Sequence, residues 1–287
     1  MKYVLLFVIS FSITISCGSN HADSKFENPA VDSKMSIRQG YHLGKAGKRE
    51  MKKKLKEISG IHYLKDELLA AIQDESGKIF ILNFTNGEIN KELEFGGKGD
   101  YEDLTLDDEF YYVLESSGKI YKVPRSGDIL NIKIYEMPFK KKVEFESIYL
   151  DRVANKLVMI CKNCPGKKNN VLKYAYAFNI KEETFAEEPL FSVDVSMLPA
   201  SGKFEGTDIK PSASAIHPLE KKLYLLCAVG KVLLVCDLNG KIEKSLALDP
   251  YIYNQPEGIT FSPNGDMYIA NEAGDNDQGN ILKVKYE

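Results

Sequence analysis

Glu57-Ile58-Ser59-Gly60-Ile61 is the first of five acidic motifs in this sequence, and the repeat that they form decides the fold. Each motif sets a glutamate beside small and apolar residues, and the other four are Tyr101-Glu102-Asp103-Leu104, Phe145-Glu146-Ser147-Ile148, Phe204-Glu205-Gly206-Thr207 and Pro256-Glu257-Gly258-Ile259. The glutamates follow one another at steps of 45, 44, 59 and 52 residues. A period of this length, built from strands, is typical of a β-propeller with one repeat per blade.

Short apolar runs and turn residues fill the intervals between the motifs, which predicts an all-β, five-bladed β-propeller. Asn86-Gly87 and Asn264-Gly265 are examples of the hairpin turns. The fifth interval ends after three strands, and an unpaired blade would expose an edge. We therefore expect residues 37–44 to pair with the last strand, Asn280–Tyr286. The alternative is six blades with one hidden between residues 146 and 205, but 59 residues suit one blade with an insertion better than two.

The N-terminus predicts a bacterial lipoprotein signal peptide over residues 1–16. A positive start precedes an apolar run over residues 3–15 that is too short for a confident membrane span. The run ends at Cys17, as in a lipobox, although Thr14 replaces the usual leucine. Acylation of Cys17 would anchor the protein to a membrane surface. The alternative is an ordinary secretory signal followed by a chance cysteine.

The remaining chain divides into a polar tether over residues 17–36 and a propeller domain over residues 37–287. Lys+Arg total 38 against Asp+Glu 41, so the chain lacks the basic excess of a nucleic-acid binder. The basic stretch 45–56 is interpreted as a solvated segment or as a contact with anionic lipid head groups. We expect a monomer at the bacterial cell envelope, anchored in the outer membrane, with an unknown small molecule or protein at the propeller face.

A second acidic series supports a metal site. Acidic residues follow the second strand in blades one, two and five, whereas blade three has Cys161-Lys162-Asn163-Cys164 there. Carboxylates that converge on a propeller axis repel one another unless a cation lies among them. Calcium suits such oxygen ligands, whereas four scattered histidines disfavour zinc. The candidate calcium ligands are Glu57, Glu102, Glu146, Glu205, Glu257, Asp74, Glu75, Glu115, Asp208 and Glu272, with Asn271 as an amide ligand. The alternative is that each glutamate bonds backbone N–H groups of the next blade.

The domain cysteines have separate roles. Cys161 and Cys164 form either a short disulfide or two free thiols. Cys227 and Cys236 flank the turn at Gly230, but they are too far out of register for a disulfide, so we expect both in the core.

Several motifs together resemble the SdiA-regulated family, which includes the YjiK-like proteins. The residues that carry the resemblance are Glu57-Ile58-Ser59-Gly60-Ile61, Asp74-Glu75-Ser76-Gly77, Gly99-Asp100-Tyr101-Glu102-Asp103-Leu104, Leu114-Glu115-Ser116-Ser117-Gly118, Gln255-Pro256-Glu257-Gly258-Ile259 and Ile269-Ala270-Asn271-Glu272. The resemblance covers residue 37 to the end, and it implies a five-bladed propeller, distantly similar to NHL-repeat propellers, with a calcium site and no established reaction. Asp103 departs from the other motifs, which have Gly, Ser or Ile there.

Two functions remain open from the sequence. The first is a lipid-anchored binding or scaffold module in which calcium stabilises the ring. The second is a calcium-dependent hydrolase of an ester, lactone or phosphate ester at the channel mouth, with a carboxylate as the base. No Gly-x-Ser-x-Gly or His-Glu-x-x-His motif is present.

Overall fold

The structure, a computed structural model, describes residues 40–126, 131–138, 143–164, 171–198 and 208–287. The chain divides into a unit of residues 1–32 and a unit of residues 33–287, and the described residues all belong to the second. The predicted signal peptide, Cys17, the tether and Glu205 therefore lie outside the described residues. Within those residues, no helix is long and apolar enough to cross a membrane.

Strands make up almost all of the regular structure. Strand β1 (Gly47–Glu50) comes first, between 3-10 turns at Leu43–Lys45 and Lys53–Leu55. Blade one contains β2 (Ile58–Lys65), β3 (Leu68–Gln73), β4 (Ser76–Asn83) and β5 (Ile89–Lys98). Blade two contains β6 (Tyr101–Leu106), β7 (Phe110–Glu115), β8 (Lys119–Pro124) and β9 (Lys133–Glu136). Blades one and two are antiparallel sheets with their strands in chain order, because turn residues such as Gly118 (φ 88°) join neighbouring strands.

The third blade differs from the others in having an additional short strand. It contains β10 (Glu144–Asp151), β11 (Lys156–Asn163), β12 (Leu172–Asn179), β13 (Thr184–Phe185) and β14 (Phe191–Asp194), and both β13 and β14 pair with β12. A 3-10 turn follows at Val195–Met197. Blade four contains β15 (Ala213–Ile216), β16 (Leu223–Cys227), β17 (Val232–Cys236) and β18 (Ile242–Ala247), and blade five contains β19 (Pro256–Phe261), β20 (Met267–Asn271) and β21 (Asn280–Val284).

Apolar side chains fill the spaces between neighbouring blades. The described residues form five core clusters, one at each interface between blades. These clusters contain Ile72 with Val113, Leu114 with Met159, Val158 with Leu225, Leu226 with Ile269, and Tyr268 with Ala71. The first strands of the blades contact one another around a closed ring. The five-bladed prediction is confirmed, and the six-bladed alternative is wrong because the described strands between Glu144 and Asp194 all belong to one sheet.

The N-terminal part of the domain closes the ring, but the closing strand differs from the predicted one. Strand β1 pairs antiparallel with β21, whereas residues 40 and 41 of the predicted segment 37–44 make only an isolated bridge to residues 286 and 287. All four residues of β1 are exposed. An outer strand that faces solvent needs no alternation of apolar and polar residues. Strand β1 lies within the basic stretch 45–56 and lacks that alternation, so the sequence pattern did not predict it.

Tyr41, which precedes the closing strand β1, contacts blades four and five. Its ring is 5% exposed, and its hydroxyl donates a 2.5 Å hydrogen bond to the carbonyl of Gly265. The same hydroxyl lies 2.7 Å from Nε2 of the buried His217. Nδ1 of His217 accepts hydrogen bonds from two backbone N–H groups, so Nε2 carries the proton and donates it to Tyr41.

The cysteine arrangement agrees with one of the two predicted alternatives. Cys161 and Cys164 form a disulfide with their Cα atoms 5.3 Å apart. Cys227 pairs with Val232 and Cys236 pairs with Leu223, and both thiols are free and buried. The prediction that these two are core residues is confirmed.

Replacing Tyr41 with alanine should destabilise the ring closure. The change removes a buried aromatic ring and leaves His217 without its partner, so the free energy of unfolding should fall by about 3 kcal/mol in urea denaturation. Tyr251→Ala is the control, because that side chain is 97% exposed and its loss should change stability by less than about 0.5 kcal/mol. Equal stability of the two variants would contradict this account of closure.

Candidate functional site

Three of the predicted glutamates occupy the same position in their blades. Glu102, Glu146 and Glu257 each lie at a register shift at the start of the first strand, where the inner strand has one more residue than its partner. A β-bulge of this kind turns a side chain away from the regular alternation of the strand. The structure therefore brings these three side chains to one rim of the ring.

Blades one and four lack a glutamate at this position among the described residues. The register shift of β2 lies between Ile58 and Ile61, so Glu57 comes before it. The hydroxyl of Ser59 instead donates to the carbonyl of Tyr101, at 2.9 Å, and that of Ser212 donates to the carbonyl of Pro256, at 2.7 Å. These serines join one inner strand to the residue that precedes the glutamate of the next blade.

The backbone-bonding role that we considered for the glutamates belongs to Asp103. This carboxylate is 2% exposed and accepts hydrogen bonds from the N–H groups of Leu104, at 2.8 Å, and Ile148, at 2.9 Å. Ile148 lies in the next blade, so Asp103 connects two blades. The departure of this motif from the others is thus explained by a structural role.

The second acidic series divides between the rim and the surface. Asp74 and Glu272 each follow the last residue of a second strand, beside the start of an inner strand. The carboxylate of Glu115 instead accepts hydrogen bonds from the Tyr121 hydroxyl, at 2.7 Å, and from a neighbouring serine. Two further predicted ligands are exposed, namely Glu75 and Asp208, which pairs with Lys210 at 3.2 Å.

We define the axial acidic cluster as Asp74, Glu102, Glu146, Glu257 and Glu272, which come from four of the five blades. Burial raises the pKa of Glu102 to about 10 and that of Glu257 to about 8, and in both cases the charge of Glu146 contributes. Burial and the charge of Asp74 raise the pKa of Glu272 to about 7. The carboxylates therefore act on one another across the ring, as convergence on one axis requires.

A lysine that the sequence analysis did not include among the site residues lies within this cluster. The ammonium group of Lys162 forms an ion pair with Glu146. Burial would lower the pKa of Lys162, but the charges of Glu146, Glu257 and Glu102 raise it overall. The sequence signal was available, because Lys162 interrupts the acidic series in blade three.

Two buried oxygen atoms at this rim are unsatisfied. Among the described residues, Oδ1 of Asp74 and Oδ1 of Asn271 have no hydrogen-bond donor, and Asn271 is fully buried. Asn271 Nδ2 bonds to Asn280 Oδ1 at 3.0 Å, which sets the amide orientation. Carboxylate and amide oxygens of this kind are the donors that calcium prefers. In the described parts of the chain, no three acidic, His or Cys side chains are close enough together to hold a metal ion as they stand.

None of the three histidines in the described part of the chain belongs to this cluster. His62 lies on β2, and burial, with the charges of Arg152 and Arg125, lowers its pKa to about 4. His217 is part of the ring closure, and His42 pairs with the C-terminal residue Glu287 at 3.2 Å. A base at the axial acidic cluster would have to be a carboxylate.

Three solved structures share the fold of this chain. The glutaminyl cyclase of Myxococcus xanthus is 11% identical with a TM-score of 0.55, and the match covers 84% of this chain and 94% of the cyclase. A luciferin-regenerating enzyme is 10% identical with a TM-score of 0.51, covering 84% and 95%. A streptogramin B lyase is 12% identical with a TM-score of 0.50, covering 84% and 97%. At these identities the likeness shows the fold alone.

Sequence comparison places the chain in a family. No curated protein matches it. The model of the SdiA-regulated family matches residues 34–274, which include blades one to four and the first two strands of blade five. This chain belongs to the SdiA-regulated family.

Proposed function

We propose that this protein is a binding module of the bacterial cell envelope, in which a calcium ion at the propeller axis helps to hold a small molecule or a protein. The observation that carries the proposal is the axial acidic cluster. Glu102, Glu146 and Glu257 lie in equivalent bulges, and burial, together with the charge of Glu146, raises the pKa of Glu102 and of Glu257. Such a concentration of buried carboxylates is costly unless a cation offsets it.

The donor atoms support calcium over other metals. The cluster offers carboxylate oxygens, and Asn271 adds a buried amide oxygen that lacks a donor within the described residues. Calcium accepts six to eight oxygen ligands in a flexible geometry, whereas magnesium requires a compact octahedron. Since these carboxylates are not close enough to hold an ion as they stand, binding would draw them together around it.

A hydrolase remains the second candidate, and one observation favours it. The pKa of Glu272 is raised to about 7, which suits a general base near neutral pH. Calcium would supply polarisation of an ester, lactone or phosphate oxygen beside it. Turnover of model esters that disappears in Glu272→Gln, with calcium binding retained, would favour this candidate; absence of turnover across such a panel would count against it.

The membrane location rests on the N-terminal sequence. We propose that Cys17 is acylated and that the tether over residues 17–36 holds the propeller, as a monomer, at the outer membrane.

A bacterium labelled with a fatty acid should incorporate the label into the parent protein and not into Cys17→Ser. Cys227→Ser serves as the control, because that thiol is buried in the core and its variant should keep the label. Label retained by Cys17→Ser would contradict acylation at this residue.

Calcium should raise the melting temperature, and chelator should lower it. A ligand that binds only the folded state stabilises it by about 2.7 kcal/mol at a hundredfold excess over Kd. The increment should disappear in Glu102→Gln and in Glu257→Gln. Both variants should be at least as stable as the parent in chelator, because glutamine keeps the shape of the protonated carboxyl and cannot acquire a buried charge.

Glu94→Gln is the matched control for these variants, since its side chain is 73% exposed and lies outside the cluster. It should keep the full calcium increment. Magnesium should give a smaller increment than calcium at the same concentration. Identical melting curves in calcium and in chelator, with no metal found by elemental analysis, would contradict the proposal.

The chelated protein should become less stable as the pH rises from about 5 to 8. The pKa values of Glu257, at about 8, and Glu272, at about 7, exceed that of an ordinary glutamate. The folded state therefore binds more protons than the unfolded chain, and the free energy of unfolding falls with rising pH. Glu257→Gln should flatten the dependence of melting temperature on pH. A stability that rises over this range would show that the carboxylates are not buried together.

A further inference from the structure

One position near the end of the second strand is equivalent in blades one, three and five. In each of these blades a residue of the second strand, namely Gln73, Cys161 or Asn271, pairs with the residue that precedes the bulge of the inner strand. The next residue is Asp74 in blade one, Glu272 in blade five and Lys162 in blade three. Blade three therefore supplies a positive charge where two other blades supply negative ones.

The ammonium group of Lys162 interacts with more than one acid of the cluster. It forms an ion pair with Glu146, and its charge acts on Glu102, Glu257 and Glu272. The carboxylate of Glu146 is only 10% exposed. An ion pair this shielded from solvent is stronger than a surface pair, because solvent and salt screen it less.

A disulfide and two hydrogen bonds fix the backbone that carries this lysine. Lys162 lies inside the ring closed by the Cys161–Cys164 disulfide. Its carbonyl accepts a 3.0 Å hydrogen bond from Nζ of the fully buried Lys173. The next residue, Asn163, donates its side-chain amide to Glu144 on the adjacent strand. These contacts therefore restrain the backbone from which the Lys162 side chain reaches Glu146.

We propose that Lys162 is a resident counter-cation of the axial acidic cluster, held in place by the Cys161–Cys164 disulfide, and that an external divalent cation must displace it. This inference rests on the proposed function, since it concerns the affinity of the same site. Two positive groups compete for the same carboxylates, and Glu146 cannot serve both fully. The ammonium group thus lowers the affinity for calcium, and a looser backbone at residue 162 raises it.

Lys162 is a positioning residue in this proposal, and calcium titration of purified protein tests it. Lys162→Met should tighten calcium binding at least tenfold, because the competing charge is gone and the length of the side chain is kept. Lys162→Arg should stay within about threefold of the parent, since the charge remains. Lys78→Met, a change of a half-buried lysine in blade one that pairs with Glu94 and not with the cluster, should leave the affinity unchanged. Calcium binding by Lys162→Met that is equal to or weaker than that of the parent would overturn the proposal.

The disulfide is tested with dithiothreitol, a dithiol reductant. Each dithiothreitol becomes a cyclic disulfide and passes two electrons and two protons to the protein, where Cys161 and Cys164 become two thiols. Reduction should tighten calcium binding of the parent about threefold or more. The double variant Cys161→Ser/Cys164→Ser should bind like the reduced parent and should not respond to the reductant. An affinity that is the same before and after complete reduction would overturn the part of the proposal that assigns positioning to the disulfide.

Melting curves in chelator separate this inference from the proposed calcium function. Without any metal, Lys162→Met leaves buried carboxylates uncompensated, so it should melt below the parent at pH 8, and Lys162→Arg should restore most of the loss. If neither the parent nor Lys162→Met binds calcium, the proposed function and the displacement step both fail, while a charge-dependent loss in chelator still supports the counter-cation role. Equal melting of Lys162→Met and the parent in chelator would overturn that role.

Discussion

Close approach of the inner strands at the ring axis is the constraint on which the rest of the structure depends. A Cβ added to Gly60 would lie 2.6 Å from the Cα of Asp103, and one added to Gly258 would lie 2.4 Å from the carbonyl oxygen of Ser59. Only glycine fits at such points without displacement of the backbone. The small residues of the acidic motifs therefore exist for packing, because they let five blades meet around a narrow axis.

The same close approach of the inner strands explains why the carboxylates of the axial acidic cluster lie near one another. Bulges at the start of the inner strands carry Glu102, Glu146 and Glu257, and a narrow ring brings these side chains within range of one another. Mutual repulsion and burial then act together, which is why the pKa of Glu102 rises to about 10. The ring tolerates this arrangement because Lys162 neutralises part of the charge and because protonated carboxyls cost less to bury.

The fold was predictable from the sequence because its signals are local. Turn residues such as Gly118 and Gly265 take positive φ values, and the period of the acidic motifs gave the number of blades. The closing strand β1 was not predicted, since all its residues are exposed and it has no apolar pattern. Site assignment depends on register, and one residue of offset moves a side chain to the other face. Glu57 therefore matches the motif in sequence but precedes the bulge, and Glu115 points toward Tyr121.

The break in the acidic series proves more informative than its repetition. If every blade repeated the acidic residue, the axis would carry carboxylates and no positive side chain. Only an external cation could then offset the repulsion between those carboxylates. Blade three supplies Lys162 instead, on a backbone held by a disulfide and by the buried Lys173. On our proposal, a ring that carries its own cation would stay folded without metal and would exchange that cation only for a competitor of higher charge. Divalent specificity would then follow from competition at the axis, without a preformed cage of ligands.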